Sequence, residues 1–483
     1  MAFDLTPFTE RRRRFTEAIG DALAIVPAAR EVARNADTGF EFRQDSDFYF
    51  LTGFDEPDAV ALIDPAHAKE RFVLFVRPRD REMEIWNGRR AGVEGAVATY
   101  GADAAYPVDQ LDAVLREHAI DRSALVYRLG NPHHDARVTR LLGEMRGVRA
   151  RGFTTPARVD DPGPILHELR LRRGPEELAR QRRACEISRD AHIEAMRFAR
   201  PGRHEYEVQA AIEFVFRKGG SPRNAYPSIV ASGPNACILH YMENTRRMED
   251  GDLLLIDAGC EWGYHAADIT RTFPVNGRFT APQRRIYEIV LRAQLAAIAA
   301  ARPGVPYEAM HEAARRALVE GLVELRLLPR GVDESLAMHH YREFYMHGTG
   351  HWLGMDVHDV GAYRVRRQSR PLEPGMVVTV EPGLYFDPER ESVTFHLREY
   401  SEEEMWERRF RLGMAAAKKI EDEDKARAET VVHPVPAEYR GIGVRIEDDV
   451  LITENGHEIL TAGTPKTVDE VERACAERSR LPG

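Results

Sequence analysis

The stretch that decides the architecture of this chain is LLLIDAGCEWGYHAADITRTFP, residues 253–274. It begins with an apolar run that ends in Asp257, and Asp268 then opens a segment rich in β-branched residues. Such segments are typical of β-strands, so we predict a hairpin whose two neighbouring strands point both carboxylates into one site. A carboxylate at the end of a buried strand needs a compensating positive charge, because burial removes its hydration. Arg271 is one candidate for that charge, and a metal cation is another.

Three more groups of this kind follow in the second half of the chain. His351 lies in a glycine-rich segment, Glu381 closes the apolar run 376–380, and Glu447 ends the run 443–446. Four carboxylates buried near one another repel more strongly than a single arginine offsets. Together with one imidazole, they predict a site for a pair of divalent cations. Manganese is the first candidate, and cobalt or zinc could replace it.

A pair of divalent cations predicts hydrolytic chemistry. The ions lower the pKa of a bridging water, which gives hydroxide near neutral pH, and they polarise a neighbouring carbonyl group. His240, His347 and His358 are then candidates to bind the substrate or the tetrahedral oxyanion rather than metal. The alternative is that each histidine is a core residue whose hydrogen bonds are satisfied.

Composition excludes several classes of protein. With 483 residues, 43% hydrophobic and 30% charged, the chain is neither predominantly disordered nor a coiled coil. A net charge of -10 disfavours sequence-independent nucleic-acid binding, and the absence of about 18 uninterrupted apolar residues predicts no membrane span. The four cysteines form no CxxC pair, so neither a disulfide framework nor a thiolate zinc site is expected. Because Glu17 and Asp21 break the apolar stretch after Arg11–Arg14, we expect no export signal and a cytoplasmic location.

The chain divides into two predicted domains, residues 1–168 and 169–483. In the first, apolar runs at 59–63, 71–76 and 124–127 alternate with amphipathic segments, which favours an α/β domain. A segment rich in Pro, Gly and Asp then precedes a predicted helix from about Gly174 to Phe198.

A short motif occurs twice in the second domain. Ala-Arg-Pro-Gly stands at 199–202 and again at 301–304, and each copy is followed by a helical pattern of apolar residues. Either Pro-Gly simply ends two helices, or the domain is an internal duplication about a pseudo-twofold axis.

One segment differs in composition from its surroundings. Between Glu389 and Glu429, 21 of 41 residues are charged, with both signs mixed. Ser401 followed by Glu404 has the form of a capping box, which predicts a long, solvent-exposed helix beginning there. We therefore expect an inserted surface element at about 388–434.

These segments resemble the aminopeptidase P branch of the pita-bread metallopeptidases. The similar runs are 42–57 and 85–90 in the N-terminal domain, and 238–241, 255–260, 268–274, 347–361, 380–385 and 441–449 in the second domain. The resemblance implies an α/β N-terminal domain and an α+β pita-bread catalytic domain with pseudo-twofold symmetry. The connection between Glu381 and Glu447 is about 40 residues longer than the short one expected of this branch, and it contains the charged segment.

The resemblance also implies roles for individual residues. The ligands of the two metal ions would be Asp257, Asp268, His351, Glu381 and Glu447. Glu381 would also transfer protons, while His240 and His358 would contact the substrate and stabilise the tetrahedral intermediate. His347 would line the proline pocket, with Arg445 near it. Tyr385 is a candidate for the pocket's apolar surface, or else a core residue.

The implied reaction removes the N-terminal residue from peptides whose second residue is proline. The implied partners are those peptides and further copies of the chain, as a dimer or tetramer in which the N-terminal domain of one subunit helps to close another's site. Trp86 matches a position at that subunit contact. Neither nucleic acid nor a membrane is an expected partner.

Two other functions remain open from the sequence. A prolidase shares all five ligands and cleaves only Xaa-Pro dipeptides, although the N-terminal signature favours aminopeptidase P over it and over methionine aminopeptidase. A non-catalytic pita-bread protein binds peptides without metal, but such proteins lack the ligand set that is present in this chain.

Overall fold

A computed structural model describes residues 4–399, 401–479 and 481, so Tyr400, within the predicted insertion, lies outside the described residues. The chain divides into two compact units, unit 1 (Met1–Arg170) and unit 2 (Leu171–Gly483). Among the described helices, none combines the length and apolar character needed to cross a membrane.

Unit 1 is built from helices and short strands in alternation. Its helices are α1 (Thr6–Ile19), α2 (Ser46–Thr52), α3 (Arg81–Asn87), α4 (Gly92–Tyr100), α5 (Leu111–His118), α6 (Pro132–Arg149) and α7 (Gly163–Leu171), which ends at the division between the units. Its strands are β1 (Leu23–Pro27), β2 (Ala33–Asn35), β3 (Thr38–Gly39), β4 (Val60–Ile63), β5 (Phe72–Val76), β6 (Ala104–Pro107), β7 (Leu125–Val126) and β8 (Val159–Asp160).

A six-stranded mixed sheet forms the centre of unit 1, in the order β6-β5-β4-β1-β7-β8. The strands β4 and β5 are buried throughout, because helices cover the sheet: Leu111 and Leu115 of α5 pack in one core with Leu62 and Phe75. The three apolar runs predicted as strands are β4, β5 and β7, and the predicted amphipathic segment is α5. The α/β class predicted for this domain is confirmed.

Unit 2 contains the longer helices and most of the strands. Its helices are α8 (Pro175–Phe198), α9 (Glu205–Lys218), α10 (Ala281–Ala300), α11 (Glu308–Glu324), α12 (Val332–Ala337), α13 (Glu402–Leu412), α14 (Met414–Ala426) and α15 (Val468–Ala476). Its strands are β9 (Arg223–Asn224), β10 (Ile229–Ser232), β11 (Leu253–Asp257), β12 (Cys260–Trp262), β13 (His265–Ala266), β14 (Thr270–Pro274), β15 (Arg364–Val365), β16 (Gln368–Ser369), β17 (Val377–Val380), β18 (Gly383–Tyr385), β19 (Ser392–His396), β20 (Thr430–Pro434), β21 (Gly443–Arg445), β22 (Asp448–Thr453) and β23 (Gly456–Ile459).

Three small antiparallel sheets position the predicted site. Their strand orders are β10-β11-β14, β17-β22-β23 and β18-β21. The predicted pairing of the two Asp-bearing segments is present, with Asp257 opposite Thr270 in the register of β11 and β14. They are not a simple hairpin, however, because β12 and β13 lie between them in the chain.

Helix pairs surround these sheets. The predicted helix from Gly174 to Phe198 is α8, which packs against α9, and α10 packs against α11 in the same way. The two Ala-Arg-Pro-Gly motifs therefore follow the first helix of each pair. The order helix, motif, helix thus occurs twice. A symmetry axis relating the two helix pairs stays a prediction.

All four cysteines lie in unit 2, and each is a free thiol. Cys185, Cys260 and Cys475 are buried within the main hydrophobic core of this unit. Cys237 is half-buried and donates its Sγ–H to the carbonyl oxygen of Phe386 at 3.2 Å.

The charged insertion folds as an arm on unit 2. We call residues 392–434 the insertion arm: β19 and β20 pair antiparallel at its base, and α13 and α14 follow at its tip. Ser401 caps α13 as predicted, since its side chain accepts the backbone N–H of Glu404 at 3.2 Å. The helix is interrupted, because Gly413 has φ 79° and separates α13 from α14.

Candidate metal centre

Four of the five predicted metal ligands lie beside strand ends. Asp257 is the last residue of β11, Asp268 lies just before β14, Glu381 follows β17 directly, and Glu447 connects β21 to β22. The fifth, His351, lies in the loop that runs along β17. Because the ends of these strands meet, side chains that are far apart in sequence come together.

The loop that carries His351 is held against β17 by backbone contacts. The N–H of Thr379 donates to the carbonyl of His351 at 3.0 Å, and the N–H of Glu381 donates to the carbonyl of Thr349 at 2.7 Å. A Cβ atom added at Gly350 would lie 1.9 Å from the carbonyl oxygen of Thr379. Only glycine permits this approach, which fixes His351 beside Glu381.

Asp268, His351 and Glu447 form the compact part of the cluster. One ligand atom from each lies within 4.8 Å of the other two. The Nε2 atom of His351 is 3.4 Å from Oδ2 of Asp268 and 3.6 Å from Oε1 of Glu381. Its Nδ1 atom is 3.0 Å from the carbonyl oxygen of Trp352, to which it donates, so Nε2 faces the carboxylates.

Asp257 joins the cluster through a tyrosine. The hydroxyl of Tyr226 lies 2.6 Å from Oδ1 of Asp257 and 2.5 Å from Oδ1 of Asp268. The other oxygen of Asp257 accepts from the guanidinium of Arg445 at 2.5 Å. The five predicted ligands therefore face one another across a few ångströms.

Burial and mutual repulsion dominate the electrostatics of this cluster. Burial raises the pKa of Asp268, and it raises that of Glu447 well above its ordinary value, with repulsion between neighbouring carboxylates acting in the same direction. Burial likewise raises the pKa of Glu381 to about 7, although His351 and Arg445 oppose the rise. Burial lowers the pKa of His351, but hydrogen bonding and attraction by Asp268 outweigh it and raise the pKa to about 9.

The donor set fits divalent cations. Among the described residues, the basic groups within ion-pair distance of the four carboxylates are His347, His351 and Arg445, and none of them is within that distance of Glu447. Multivalent cations stabilise such an excess of buried negative charge. Oxygen donors with one imidazole nitrogen suit manganese, cobalt and zinc alike.

Three predicted substrate-binding residues form a hydrogen-bonded chain beside the carboxylates. The guanidinium of Arg445 donates to the hydroxyl of Tyr385 at 3.0 Å, and this hydroxyl lies 2.9 Å from Nε2 of His347. Nδ1 of His347 donates to the carbonyl of Gly348 at 2.7 Å, so its Nε2 is the acceptor from Tyr385. Burial, with the charge of Arg445, lowers the pKa of His347 to about 3, and the imidazole is therefore neutral.

The remaining two predicted histidines, His358 and His240, are exposed. The ring of His358 contacts that of His351 edge to face, with 4.2 Å between centroids. Burial lowers the pKa of His358, and the charges of His351 and His240 lower it further. His240 lies on an exposed loop, where it acts on His358 electrostatically.

Arg271 does not compensate Asp257 or Asp268, contrary to the alternative considered from the sequence. Successive side chains of a strand point to opposite faces, and Thr270 of β14 faces the cluster, where its hydroxyl donates to Glu447 at 2.6 Å. Arg271 therefore points away, to Asp448 at 2.7 Å. Arg445 is the arginine that pairs with Asp257.

Two residues of the site were not anticipated from the sequence. Tyr226 stands in the turn between β9 and β10, where no charge or strand pattern marks it. Asp449 accepts the backbone N–H of Asp268 at 3.1 Å and the thiol of Cys185 at 3.2 Å. The pair Asp448-Asp449 after Glu447 was the available signal for Asp449, because buried acids need partners.

Comparisons with known proteins identify both units. Residues 179–454 match metallopeptidase family M24, and residues 8–127 match the aminopeptidase P N-terminal domain. The chain is 42% identical over 469 residues to the Xaa-Pro aminopeptidase of Escherichia coli, which covers 96% of each chain. It is 34% identical to a human Xaa-Pro dipeptidase, covering 97% of this chain and 91% of the relative.

Solved structures agree with these matches. Aminopeptidase PepP of Pseudomonas aeruginosa superposes with a TM-score of 0.87 at 44% identity, covering 98% of both chains. A zinc-substituted aminopeptidase P of E. coli in complex with product gives a TM-score of 0.85 at 41% identity, covering 98% of this chain and 99% of the other. The chain thus belongs to metallopeptidase family M24 and, within it, to the aminopeptidase P group, whose pita-bread fold the sequence predicted.

Proposed function

We propose that this chain is a metal-dependent aminopeptidase that removes the N-terminal residue from peptides with proline in second position. The proposal rests on one observation above all, the cluster of four carboxylates and His351 beside the chain Arg445–Tyr385–His347. The membership of this chain in family M24 and its similarity to Xaa-Pro aminopeptidases support the same reaction.

The proposed cofactors are two divalent cations held by Asp257, Asp268, His351, Glu381 and Glu447. Manganese is the proposed occupant, with cobalt or zinc as substitutes. Such ions supply Lewis acidity and lower the pKa of a bound water. The orientation of Nε2 of His351 toward the carboxylates supports its role as a ligand.

Glu381 is the proposed proton carrier. Its Oε1 lies 3.6 Å from Nε2 of His351, and its Oε2 lies 3.8 Å from Nδ1 of His347, so it stands between the ligand side and the substrate side of the site. A carboxylate there takes a proton from the attacking water and later delivers it to the leaving nitrogen. The proline nitrogen needs this proton, because it leaves as a secondary amine.

His358 and His240 are proposed to bind the scissile carbonyl oxygen. Both are exposed, and the ring of His358 contacts that of the proposed ligand His351, so an N–H group there can stabilise the negative charge that develops on the oxygen.

His347, Tyr385 and Arg445 form the proposed proline pocket. The rings of His347 and Tyr385 lie 5.6 Å apart, and their shared hydrogen bond fixes both orientations. A neutral imidazole suits the apolar proline ring. The hydrogen bond that Arg445 donates to the hydroxyl of Tyr385 fixes the position of the tyrosine.

The sequence predictions on organisation remain proposals. We retain residues 1–168 as the N-terminal domain, 169–483 as the catalytic domain, and a pseudo-twofold axis within the latter. A homo-oligomer, as dimer or tetramer, is supported by the exposure of Trp86, whose side chain is 79% accessible in unit 1. The cytoplasm is the proposed location.

The rival activity is that of a dipeptidase, which the similarity to the human Xaa-Pro dipeptidase favours. Hydrolysis of Xaa-Pro and of Xaa-Pro-Yaa-Zaa should be compared with manganese present, using Xaa-Ala-Yaa-Zaa as the control peptide. We expect cleavage of the tetrapeptide that contains proline, and little of the control. Cleavage of the dipeptide alone would establish the rival.

Metal analysis separates the enzyme from a non-catalytic peptide-binding protein. We expect about two equivalents of manganese per chain after dialysis against the metal. A chain that binds peptide but takes up no metal would contradict the proposed function.

A further inference from the structure

The insertion arm is docked on unit 2 at its base. Val393 and Phe395 of β19 are buried in the main core, where the ring of Phe395 lies 5.0 Å from that of His340. His433 of β20 donates from Nε2 to the carbonyl of Arg326 at 2.7 Å. These contacts give the arm a fixed root.

The tip of the arm is docked as well. Trp406 and Phe410 of α13 stack with 5.4 Å between ring centroids, and the guanidinium groups of Arg364 and Arg367 lie over them at 5.5 and 5.9 Å. Arg364 and Arg367 belong to the β15–β16 hairpin. Cation–π contacts of this kind hold α13 against the hairpin.

The docked tip forms one wall of a pocket beside the active-site loop. The pocket has a volume of about 490 Å³ and is lined by Trp406 and Glu407 of the arm, by the first turns of α11, and by Gly348, Thr349 and Gly350. Those three residues connect the proposed pocket residue His347 to the proposed ligand His351. The insertion and the catalytic loop therefore share one cavity.

Gly348 leaves a passage at the rim of this pocket. The residue is exposed, and a Cβ atom added to it would meet nothing closer than the carbonyl oxygen of Gly350, at 3.9 Å. A peptide whose proline lies against His347 can thus continue over Gly348 toward Trp406.

The lining suits a peptide better than a ligand with a large net charge. It contains one imidazole, that of His311, with three carboxylates and three guanidinium groups, namely Glu308, Glu312, Glu407, Arg315, Arg364 and Arg367. The rings of Tyr307, Tyr363 and Trp406 add aromatic surface, on which side chains of varied type can pack. The volume lies within the range of about 300–1,000 Å³ that small-ligand pockets occupy.

We propose that this pocket binds the residues that follow proline in longer peptide substrates, so that the insertion arm extends the substrate-binding site. This inference rests on the proposed function. It assigns Trp406 as a specificity-determining residue for peptide length.

The test removes the arm without disturbing its root. The N–H of Leu397 donates to the carbonyl of Glu429 at 2.8 Å, so residues 398–428 can be replaced by Asn-Gly, a two-residue hairpin turn. The kcat/KM is measured for a tripeptide Xaa-Pro-Yaa and for a nonapeptide that begins with the same three residues. We expect the ratio of long to short to fall about tenfold, which corresponds to the loss of about 1.4 kcal/mol of binding.

Trp406→Ala provides a second variant in case the shortened chain fails to fold, and its ratio should fall about threefold, as expected for one aromatic contact. Lys419→Ala, at an exposed position of α14 that does not line the pocket, is the matched control and should keep the wild-type ratio. An unchanged ratio of kcat/KM for the long and short peptides in Trp406→Ala, or in the shortened chain when it folds, would overturn the inference, even if the oligomer mass changes. Failure of the intact chain to cleave either peptide would instead count against the proposed function.

Discussion

Glu447 and Asp448 are neighbours in the chain, both are buried carboxylates, and their environments are opposite. Glu447 accepts a hydrogen bond from Thr270, and no basic side chain in the described part of the chain lies within ion-pair distance of it. Asp448 lies 2.7 Å from both Arg271 and Lys466. Burial raises the pKa of both carboxyls, but the two cations outweigh it at Asp448 and lower that pKa.

The difference shows that the two faces of one strand, β14, meet opposite environments, since Arg271 reaches Asp448 on one face and Thr270 reaches Glu447 on the other. On one face the protein neutralises its own buried acid, which fixes β14 to β22. On the other face the described residues place no cation within ion-pair distance of Glu447, which leaves this carboxyl to the divalent cations proposed above. Substitutions on the first face should lower the stability of the fold, whereas substitutions on the second should lower activity or metal affinity.

The largest effect should come from Asp268→Asn, which keeps the shape of a proposed ligand and removes its charge. We expect kcat/KM to fall by at least about 10⁴-fold, because the cations lose a ligand and the reaction loses their Lewis acidity. Thermal unfolding without metal should be unchanged or shifted upward, since repulsion among the carboxylates decreases. Full activity in this variant would remove Asp268 from the site.

Asp448→Asn tests the other face. It leaves the buried Arg271 and the partly buried Lys466 without their counter-charge, so the free energy of unfolding should fall by about 3–5 kcal/mol. Denaturant unfolding measures this change, and Glu454→Gln, at an exposed turn, serves as control. Equal stability of the two variants would show that the buried pair is not the structural anchor described above.

Tyr226→Phe probes the contact between the proposed ligands. The substitution removes a hydroxyl that bonds to both Asp257 and Asp268, so we expect manganese affinity to fall about 10–100-fold, as for other groups that orient metal ligands. Calorimetric titration with manganese measures it directly. Tyr206→Phe, on the exposed surface of α9, should bind the metal as the wild type does.

The smallest expected effect is a change of stability with pH, caused by the buried carboxylate of Asp64. Asp64 in unit 1 accepts from Arg122 at 2.6 Å and contacts His118 at 2.9 Å, and these partners overcome burial and lower its pKa. A carboxyl whose pKa is lower in the folded state adds stability above its unfolded pKa of about 3.9, and this stability is lost as the pH falls through the folded value.

The stability difference between wild type and Asp64→Asn should therefore shrink as the pH is lowered below about 4, by at most about 1.4 kcal/mol per pH unit. Urea unfolding at a series of pH values checks this. A difference that grows on acidification would contradict the assigned sign.

Much of the site could be predicted because its ligands carry a local mark. Asp257, Glu381 and Glu447 each follow an apolar run, and a polar group at the end of a buried strand is visible in sequence. The α/β pattern of unit 1 and the helix α8 were visible for the same reason, since periodicity reflects burial.

The sequence could not show which face of a strand a given side chain occupies. Arg271 and Thr270 are adjacent, and only the register of β14 against β11 decides that the threonine faces the carboxylates. Tyr226 lies in a turn, where no periodicity exists. The docking of Trp406 on Arg364 joins segments with no local relation, so the capping box at Ser401 predicted the helix but not its place.

The distribution of thiols gives the chain a built-in reporter. Every cysteine belongs to unit 2, and three of the four are buried, so an alkylating reagent reaches them only when this unit opens. Unit 1 contains no cysteine, so its opening exposes no thiol to the same reagent. The rate at which Cys185, Cys260 and Cys475 are alkylated therefore follows the opening of unit 2, and it can be read from the mass of the intact chain without any introduced label.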